Sequence, residues 1–129
     1  MPNFDLAMMN YVKLAELSHR KRQQLGSDKL LVLAGAAACK AGCLSVAGRC
    51  RELILRHNPR HQLAKFETLT DALRSEDFPL LVRRLEKLCS AEQAEFLAAE
   101  WGVLKEPAAD SSASELEADV LSILKAFDA

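Results

Sequence analysis

The sequence has few of the residues that build sheets, turns and aromatic platforms. Five glycines and four prolines are spread over 129 residues, and aromatic residues make up 5% of the chain. Ala, Leu, Glu, Lys and Arg are plentiful instead, which is typical of helices rather than sheets. No stretch alternates apolar and polar residues convincingly, as a half-buried strand would. The composition therefore predicts an all-α fold.

The chain also lacks the marks of a secreted, disulfide-stapled protein. Half of its residues are apolar, and a chain of this length can bury about two-thirds of its unfolded surface without staples. The first residues, MPNFDLAMMNYVKLAEL, have no basic region followed by a continuous apolar core, so they do not read as a secretory signal. We therefore expect reduced, buried thiols and a cytoplasmic location. The cysteines are Cys39, Cys43, Cys50 and Cys89.

One stretch is nearly free of charge. Residues 30–48, LLVLAGAAACKAGCLSVAG, carry Lys40 as their only charged residue. A membrane span is disfavoured, because a central lysine costs about 2.5–3.5 kcal/mol on insertion. A single helix over residues 28–57 would align three cysteines with His57, but Cys39 would then lie about 27 Å from His57 along the axis. One metal ion cannot bridge that distance, so we expect no metal and no other cofactor.

A break at residues 41–43 accounts for this stretch best. It gives one helix over about 28–41 and a second over about 44–57, since Gly42 can form the turn at little steric cost. Small residues on both helices would let the two backbones approach closely. Asn58-Pro59 then ends the second helix, because the residue before a proline leaves the helical region.

The remaining elements follow from capping and periodicity. A first helix is predicted from about Phe4 to Gln24, with Gly26 after it and Ser27-Asp28 as the next cap. A helix from about Pro59 to Arg74 follows, and the next begins near Pro79 and should turn four leucines inward. Ser90-Ala91-Glu92-Gln93 forms a capping box for a helix that carries Phe96, Leu97 and Trp101. The four leucines are Leu80, Leu81, Leu85 and Leu88.

The last helix is predicted to be a separate unit. Residues 105–113, KEPAADSSA, read as a linker between a helical-hairpin domain at 1–104 and an amphipathic helix at 114–129, which gives six to seven helices in all. The apolar stripe of that helix should dock on the body or on a second chain in a swapped dimer. Its acidic side chains suit the basic first half. The stripe consists of Leu116, Val120, Ile123, Leu124 and Phe127.

The segment from Ala34 to Pro59 resembles a tetratricopeptide repeat, a 34-residue helix–turn–helix unit. Gly35 matches the glycine of the first helix, Lys40-Ala41-Gly42 resembles the turn, Ala47 matches the small alanine of the second helix, and Asn58-Pro59 matches the end. The departures are Leu31, Ala38 and Arg51, which replace three aromatic positions. The flanking helices do not repeat the pattern, so the resemblance implies one such hairpin within a small α-α domain and not a regular array.

The resemblance implies a non-enzymatic protein-interaction or scaffold module, without the paired Asn and Lys that clamp a terminal carboxylate. The binding face would be the inner face of the first helix of the hairpin. A protein or peptide partner, acidic in character, would suit its lysines. The residues carried over are Lys29, Val32, Ala36, Cys39 and Lys40.

A nucleic-acid-binding protein is the alternative. Residues 1–65 hold 11 Lys and Arg against 4 Asp and Glu, whereas residues 66–129 hold 6 against 14. Arg49, Arg56 and Arg60, with the run at 20–22, could contact phosphates, although the pI of about 6.3 argues against it. Catalysis is not expected, because no nucleophile, base and orienting group can be named together around His57 and His61.

Overall fold

The computed structural model describes residues 4–22, 24–100 and 113–128, and it confirms an all-α fold. The described residues form seven α-helices, two short 3₁₀ turns and no strand. The helices are α1 Phe4–Arg20, α2 Gln24–Ala41, α3 Leu44–His57, α4 Leu69–Leu73, α5 Phe78–Leu88, α6 Ala91–Glu100 and α7 Ala113–Leu124; the 3₁₀ turns are Gln62–Lys65 and Lys125–Asp128.

Helices α1 and α2 form the centre of the molecule. Residues 7–12 of α1 and residues 31–38 of α2 are all buried. Helix α2 contacts α1, α3, α4 and α5, and α1 also contacts α6 and α7. A helix that is covered on every side must be apolar all round. The uncharged stretch of the sequence is therefore a central helix and the start of its hairpin partner.

Small residues on α2 let the neighbouring helices pack closely against it. A Cβ atom added to Gly35 would overlap the Leu69 Cδ2 methyl of α4 and would lie 3.4 Å from Cys50 Cβ of α3. Both neighbours are buried, Leu69 at 1% exposure and Cys50 at 0%. Position 35 therefore tolerates only glycine without a shift in the surrounding core.

The predicted break between the two hairpin helices is confirmed. Gly42 has a φ of +83°, which favours glycine. Its N–H donates to the Cys39 carbonyl at 3.2 Å, and the Cys43 N–H donates to the Ala38 carbonyl at 2.8 Å. These are the two hydrogen bonds of a Schellman motif. The second helix then ends at His57, directly before Asn58-Pro59 as expected.

Two predicted boundaries and one predicted helix are wrong. Helix α1 ends at Arg20, because Arg22 takes a left-handed φ of 60°. Helix α2 begins at Gln24, so Ser27 is a fully buried residue inside it and not a cap. The helix predicted over 59–74 is replaced by a 3₁₀ turn and the short α4. The Thr68 hydroxyl caps α4 by accepting the Asp71 N–H at 3.1 Å.

Helix α5 turns a different face inward from the one predicted. Phe78, Val82 and Leu85 are its buried residues, which are the i, i+4 and i+7 positions of one stripe. Leu80 and Leu88 are instead 51% and 70% exposed, and Leu81 is half-buried. The prediction for Leu80 and Leu88 is therefore wrong, and both are surface residues.

The capping box before α6 is present. The Gln93 N–H donates to the Ser90 hydroxyl at 3.1 Å, and the Ser90 N–H donates to the Gln93 side-chain oxygen at 3.0 Å. This reciprocal pair satisfies two of the N–H groups that a helix start leaves unpaired.

Helix α7 lies against α1 and α3. Val120, Leu124 and Phe127 are buried, and Ile123 is half-buried. The side chain of Leu116, the residue Trp101 and the linker residues 105–112 lie outside the described part of the chain. The predicted division into domains stays a prediction.

Candidate interaction surface

One face of α2 lines a row of adjacent cavities between α1 and α5, which we call the α2 cleft. The residues of α2 in this cleft are spaced by three or four positions, so they share one face of the helix. A matching stripe of α1 faces them. The α2 residues are Gly26, Lys29, Leu30, Leu33, Ala36, Ala37 and Lys40, and the α1 residues are Phe4, Ala7, Tyr11, Leu14 and Ser18.

At one end the cleft deepens into an apolar cavity of about 230 Å³, the leucine cavity. Helices α1, α2, α5 and α6 all contribute to it. Leu88 is one of the lining residues and is highly exposed, so the cavity reaches the solvent. Such a cavity accepts a single large apolar group. Its leucines are Leu14, Leu30, Leu33, Leu85, Leu88 and Leu97.

At the other end two cavities of about 330 and 370 Å³ meet at Lys40 and Glu86. The Lys40 ammonium lies 5.4 Å from the centre of the Phe4 ring, within the range of a cation–π contact. Ala36 and Ala37 form the floor and are nearly covered. This end of the cleft is therefore narrow and has one positive and one negative side chain at its edges.

Tyr11 ties the two walls together. Its hydroxyl donates to the Cys89 carbonyl at 2.9 Å, which joins α1 to the end of α5. Burial raises the pKa of Tyr11, and Cys89 and Glu86 add to the shift. The phenol therefore stays protonated and remains a donor at neutral pH. Leu33 lines both the leucine cavity and the neighbouring one, and Lys40 and Glu86 line both of the cavities at the other end, so the three cavities are adjacent.

The cations of the cleft stand at its two ends. Lys29 and Lys40 are both exposed, and eleven positions on a helix correspond to about 16.5 Å along its axis. Arg83 is exposed on the α5 wall, and Glu86 adds a half-buried carboxylate to the same wall. The described rim is therefore more positive than negative.

The structure places most, but not all, of the predicted binding-face residues in the cleft. Lys29, Ala36, Cys39 and Lys40 line the cleft or its cavities. Val32 is 1% exposed, so a partner docked on α2 would not touch it. Cys39 forms a long sulfur contact of 3.6 Å with the Thr70 hydroxyl, and burial raises the pKa of its thiol while that contact opposes the shift.

The predicted basic residues lie elsewhere, on α3. Arg49 and Arg56 both contact Glu52, at 2.9 and 3.3 Å, and Arg60 is exposed in the turn that follows. Ion pairs along a helix surface contribute only a few tenths of a kcal/mol. The Glu52 carboxylate nevertheless places a negative charge between the two arginines. The run at 20–22 also contains an ion pair, with Arg20 at 2.7 Å from Glu16.

Two observations bear on the thiol chemistry and the metal-binding capacity of the described residues. Cys50 is fully buried, and burial raises the pKa of its thiol to about 12, so it is not a nucleophile at neutral pH. Within residues 4–22, 24–100 and 113–128, no group of three His, Cys, Asp or Glu side chains is placed to hold a metal ion. In the same ranges, no helix is both long and apolar enough to span a bilayer.

Sequence reasoning missed half of the cleft. Its α5 wall includes Leu85 and Leu88, which the sequence predicts as core residues, and Glu86, for which the sequence predicts no role. The i, i+3 and i+7 stripe of α1 through Tyr11 and Leu14 was the one usable signal. Comparisons with protein-family models, with curated proteins and with solved structures found no match.

Proposed function

We propose that this protein is a non-enzymatic interaction module that binds a short acidic peptide segment of a partner protein in the α2 cleft. The observation that carries the proposal is the cleft itself: an apolar stripe of α2 lines cavities between α1 and α5 and has an exposed lysine at each end. A cytoplasmic partner fits the expectation of reduced thiols.

The dimensions favour an extended peptide. The cavities have volumes of about 230–370 Å³, which suits single side chains. A helix is about 10–12 Å in diameter and is too wide for them. An extended chain advances about 3.3 Å per residue, so roughly five residues span the distance between Lys29 and Lys40. The ligand would carry acidic side chains near both ends.

The leucine cavity supplies the anchor. An apolar side chain of the peptide would enter it, since buried anchors in central pockets dominate most protein interfaces. The lysines then add orientation and association rate more than affinity. The resemblance of α2 and α3 to a tetratricopeptide hairpin supports this assignment, because such units bind through the inner face of their first helix.

Peptide display on the full chain tests the proposal. A random 12-residue library should enrich acidic peptides with one large apolar residue, and their affinity should fall as salt rises. Leu88→Ser should weaken binding about tenfold or more, the loss expected for an anchor contact worth 1.4 kcal/mol. Leu80→Ser is the matched control, because Leu80 is exposed on the same helix but does not line the three cavities.

The charges are tested by a second pair of variants. Lys29→Glu with Lys40→Glu should reverse the preference toward basic peptides, while Lys65→Glu with Lys87→Glu should not, because these exposed lysines line none of the three cavities. Enrichment of basic peptides by the natural chain would contradict the proposal, as would binding that Leu88→Ser leaves unchanged.

The nucleic-acid alternative has a separate test. Binding of labelled single- and double-stranded oligonucleotides at 50 mM salt that is lost at 200 mM salt would favour it, provided that Arg56→Glu with Arg60→Glu abolishes the signal. The contacts of Arg49 and Arg56 with Glu52 weigh against this outcome.

A further inference from the structure

The leucine cavity differs from the other cavities in the charge of its lining. Lys29 is the one charged residue among the described side chains that line it. The two cavities at the other end of the α2 cleft both contain Glu86, and a cavity between α3 and α4 contains Glu67 and Asp71. By charge complementarity, an apolar ligand with a negative end therefore fits the leucine cavity better than these others.

The ammonium group of Lys29 is accessible to such a ligand. Lys29 is exposed, and none of the ion pairs between described side chains involves it. The carboxylate of the preceding residue, Asp28, lies 2.9 Å from His57 Nδ1 instead. An ammonium group that stays in water at the rim of an apolar cavity can pair with a carboxylate without the cost of burying either charge.

The walls of the cavity are apolar and belong to the core of the bundle. Leu14, Leu33 and Leu85 are buried, and the core positions of their helices hold them in place. Ser18 and Cys89 are the other polar residues of the described lining. Ligand sites combine an apolar wall with a few polar groups that select the ligand. This cavity therefore suits an alkyl chain, and it offers few partners to a sugar or a nucleotide, whose polar groups would lose their hydrogen bonds with water.

The volume of the cavity limits the length of that chain. An apolar cavity of about 150 Å³ holds one benzene ring, which has six carbons. At about 230 Å³, the leucine cavity holds roughly nine carbons by the same ratio. Gly26 contributes to this volume, because it lines the cavity without a side chain. An added Cβ at position 26 would meet only Ser18 Oγ, at 3.9 Å, so a larger side chain there would fill the cavity without a clash at its Cβ.

We propose that the leucine cavity is a binding site for a free aliphatic carboxylate of about six to nine carbons, with its alkyl chain among the leucines and its carboxylate beside Lys29. The two ends of the ligand then meet the two kinds of surface that the cavity offers. This inference does not rest on the peptide proposal, because it needs the leucine cavity alone and not the rest of the α2 cleft. A bound acid would occupy the space of the peptide anchor, so the two ligands would compete.

Titration of the full chain with straight-chain acids from butanoate to dodecanoate, followed by NMR of the leucine methyl groups, tests the proposal. Affinity should rise about fourfold per added methylene, the factor that corresponds to 0.8 kcal/mol, and should stop rising near nonanoate. Affinity that keeps rising to dodecanoate would overturn the proposal, and so would methyl shifts outside the cavity. The signals that should move are those of Leu14, Leu30, Leu33, Leu85, Leu88 and Leu97.

Two pairs of variants test the space and the charge separately. Gly26→Leu should weaken octanoate binding about tenfold or more, because the new side chain takes the place of several methylenes. Gly48→Leu should not, since Gly48 is an exposed helix residue outside the cavity. The natural chain should prefer octanoate to octylammonium by about two- to fivefold, the range of an exposed ion pair. Lys29→Glu should reverse that preference, and Lys87→Glu, on an exposed lysine outside the cavity, should not.

Octanoate binding that Gly26→Leu leaves unchanged would contradict the proposal, as would a preference of the natural chain for octylammonium. If a variant does not fold, the chain-length limit and the methyl shifts of the natural chain decide the question alone. Because no peptide is present in these titrations, their outcome is independent of the outcome of the peptide display.

Discussion

Replacement of Gly35 by alanine is the sharpest test of how the core is built. In most helix interiors this change is favourable, because alanine has a helix propensity about 0.8–1.0 kcal/mol better than glycine. At position 35 the new methyl would overlap Leu69 Cδ2 and press on Cys50 Cβ. Excess volume in a packed core costs about 1–3 kcal/mol. We therefore expect Gly35→Ala to lower the free energy of unfolding by about 0–2 kcal/mol.

Gly48→Ala is the matched control. Gly48 also lies inside a helix, α3, but it is exposed and no atom lies within 4 Å of an added Cβ. The same chemical change should stabilise the protein there by about 0.5–1 kcal/mol. Urea unfolding followed by circular dichroism gives both values, and the two variants should differ by about 1–3 kcal/mol.

A double mutant identifies the cause of the loss. Leu69→Val shortens the side chain whose methyl group overlaps the new Cβ of Gly35→Ala. The double mutant should therefore lose less free energy of unfolding than the sum of the two single mutants, with a coupling of about 0.5–3 kcal/mol. If Gly35→Ala stabilises the chain as much as Gly48→Ala does, α4 does not pack on α2 as described. Additive costs in the double mutant would lead to the same conclusion.

Four further predictions concern other parts of the chain. Gly42→Ala should destabilise the hairpin by about 1–2 kcal/mol in urea unfolding, because its φ of +83° disfavours a side chain. Leu124→Ala should cost about 2–5 kcal/mol by the same assay, since the side chain is fully buried, whereas Ser122→Ala on the exposed face of α7 should change little. Ser90→Ala should cost about 0.5–2 kcal/mol through loss of the cap of α6. The Cys50 thiol, with a pKa raised to about 12, should resist a disulfide reagent at pH 8 until the protein is unfolded, and rapid native labelling at Cys50 would contradict its burial.

Local signals predicted the parts of the fold whose hydrogen bonds are local. Gly42 and Asn58-Pro59 gave the bounds of α3, because a left-handed turn and a proline act through the backbone of adjacent residues. The box from Ser90 to Gln93 was found for the same reason. The helix predicted over 59–74 was wrong. The backbone is extended at Phe66, whose carbonyl accepts a hydrogen bond from Arg51 of α3, and the sequence of this segment alone does not reveal that contact.

The cleft could be predicted only in part. Lys29, Ala36 and Lys40 were placed on one face of α2 from the hairpin resemblance, and they do line the cleft. Its walls come from α1 and α5, about 20 and 50 positions away in sequence, and a local pattern in α5 does not show which helix its apolar stripe faces. Leu88 illustrates the difficulty. Its apolar side chain predicts a core position, but the residue lies at the surface.

Arg51 and Gly35 contribute to one packing arrangement. At position 51 a tetratricopeptide-like helix would carry a large aromatic residue. The Arg51 guanidinium instead donates to the carbonyl oxygen of Phe66, whose backbone is extended at φ −117° and ψ 145°. The chain does not continue as a helix after Pro59, and α4 begins later, at Leu69. The Leu69 side chain then fills the space that Gly35 leaves on α2. The charge at position 51 and the absent side chain at position 35 thus act together to join α2, α3 and α4.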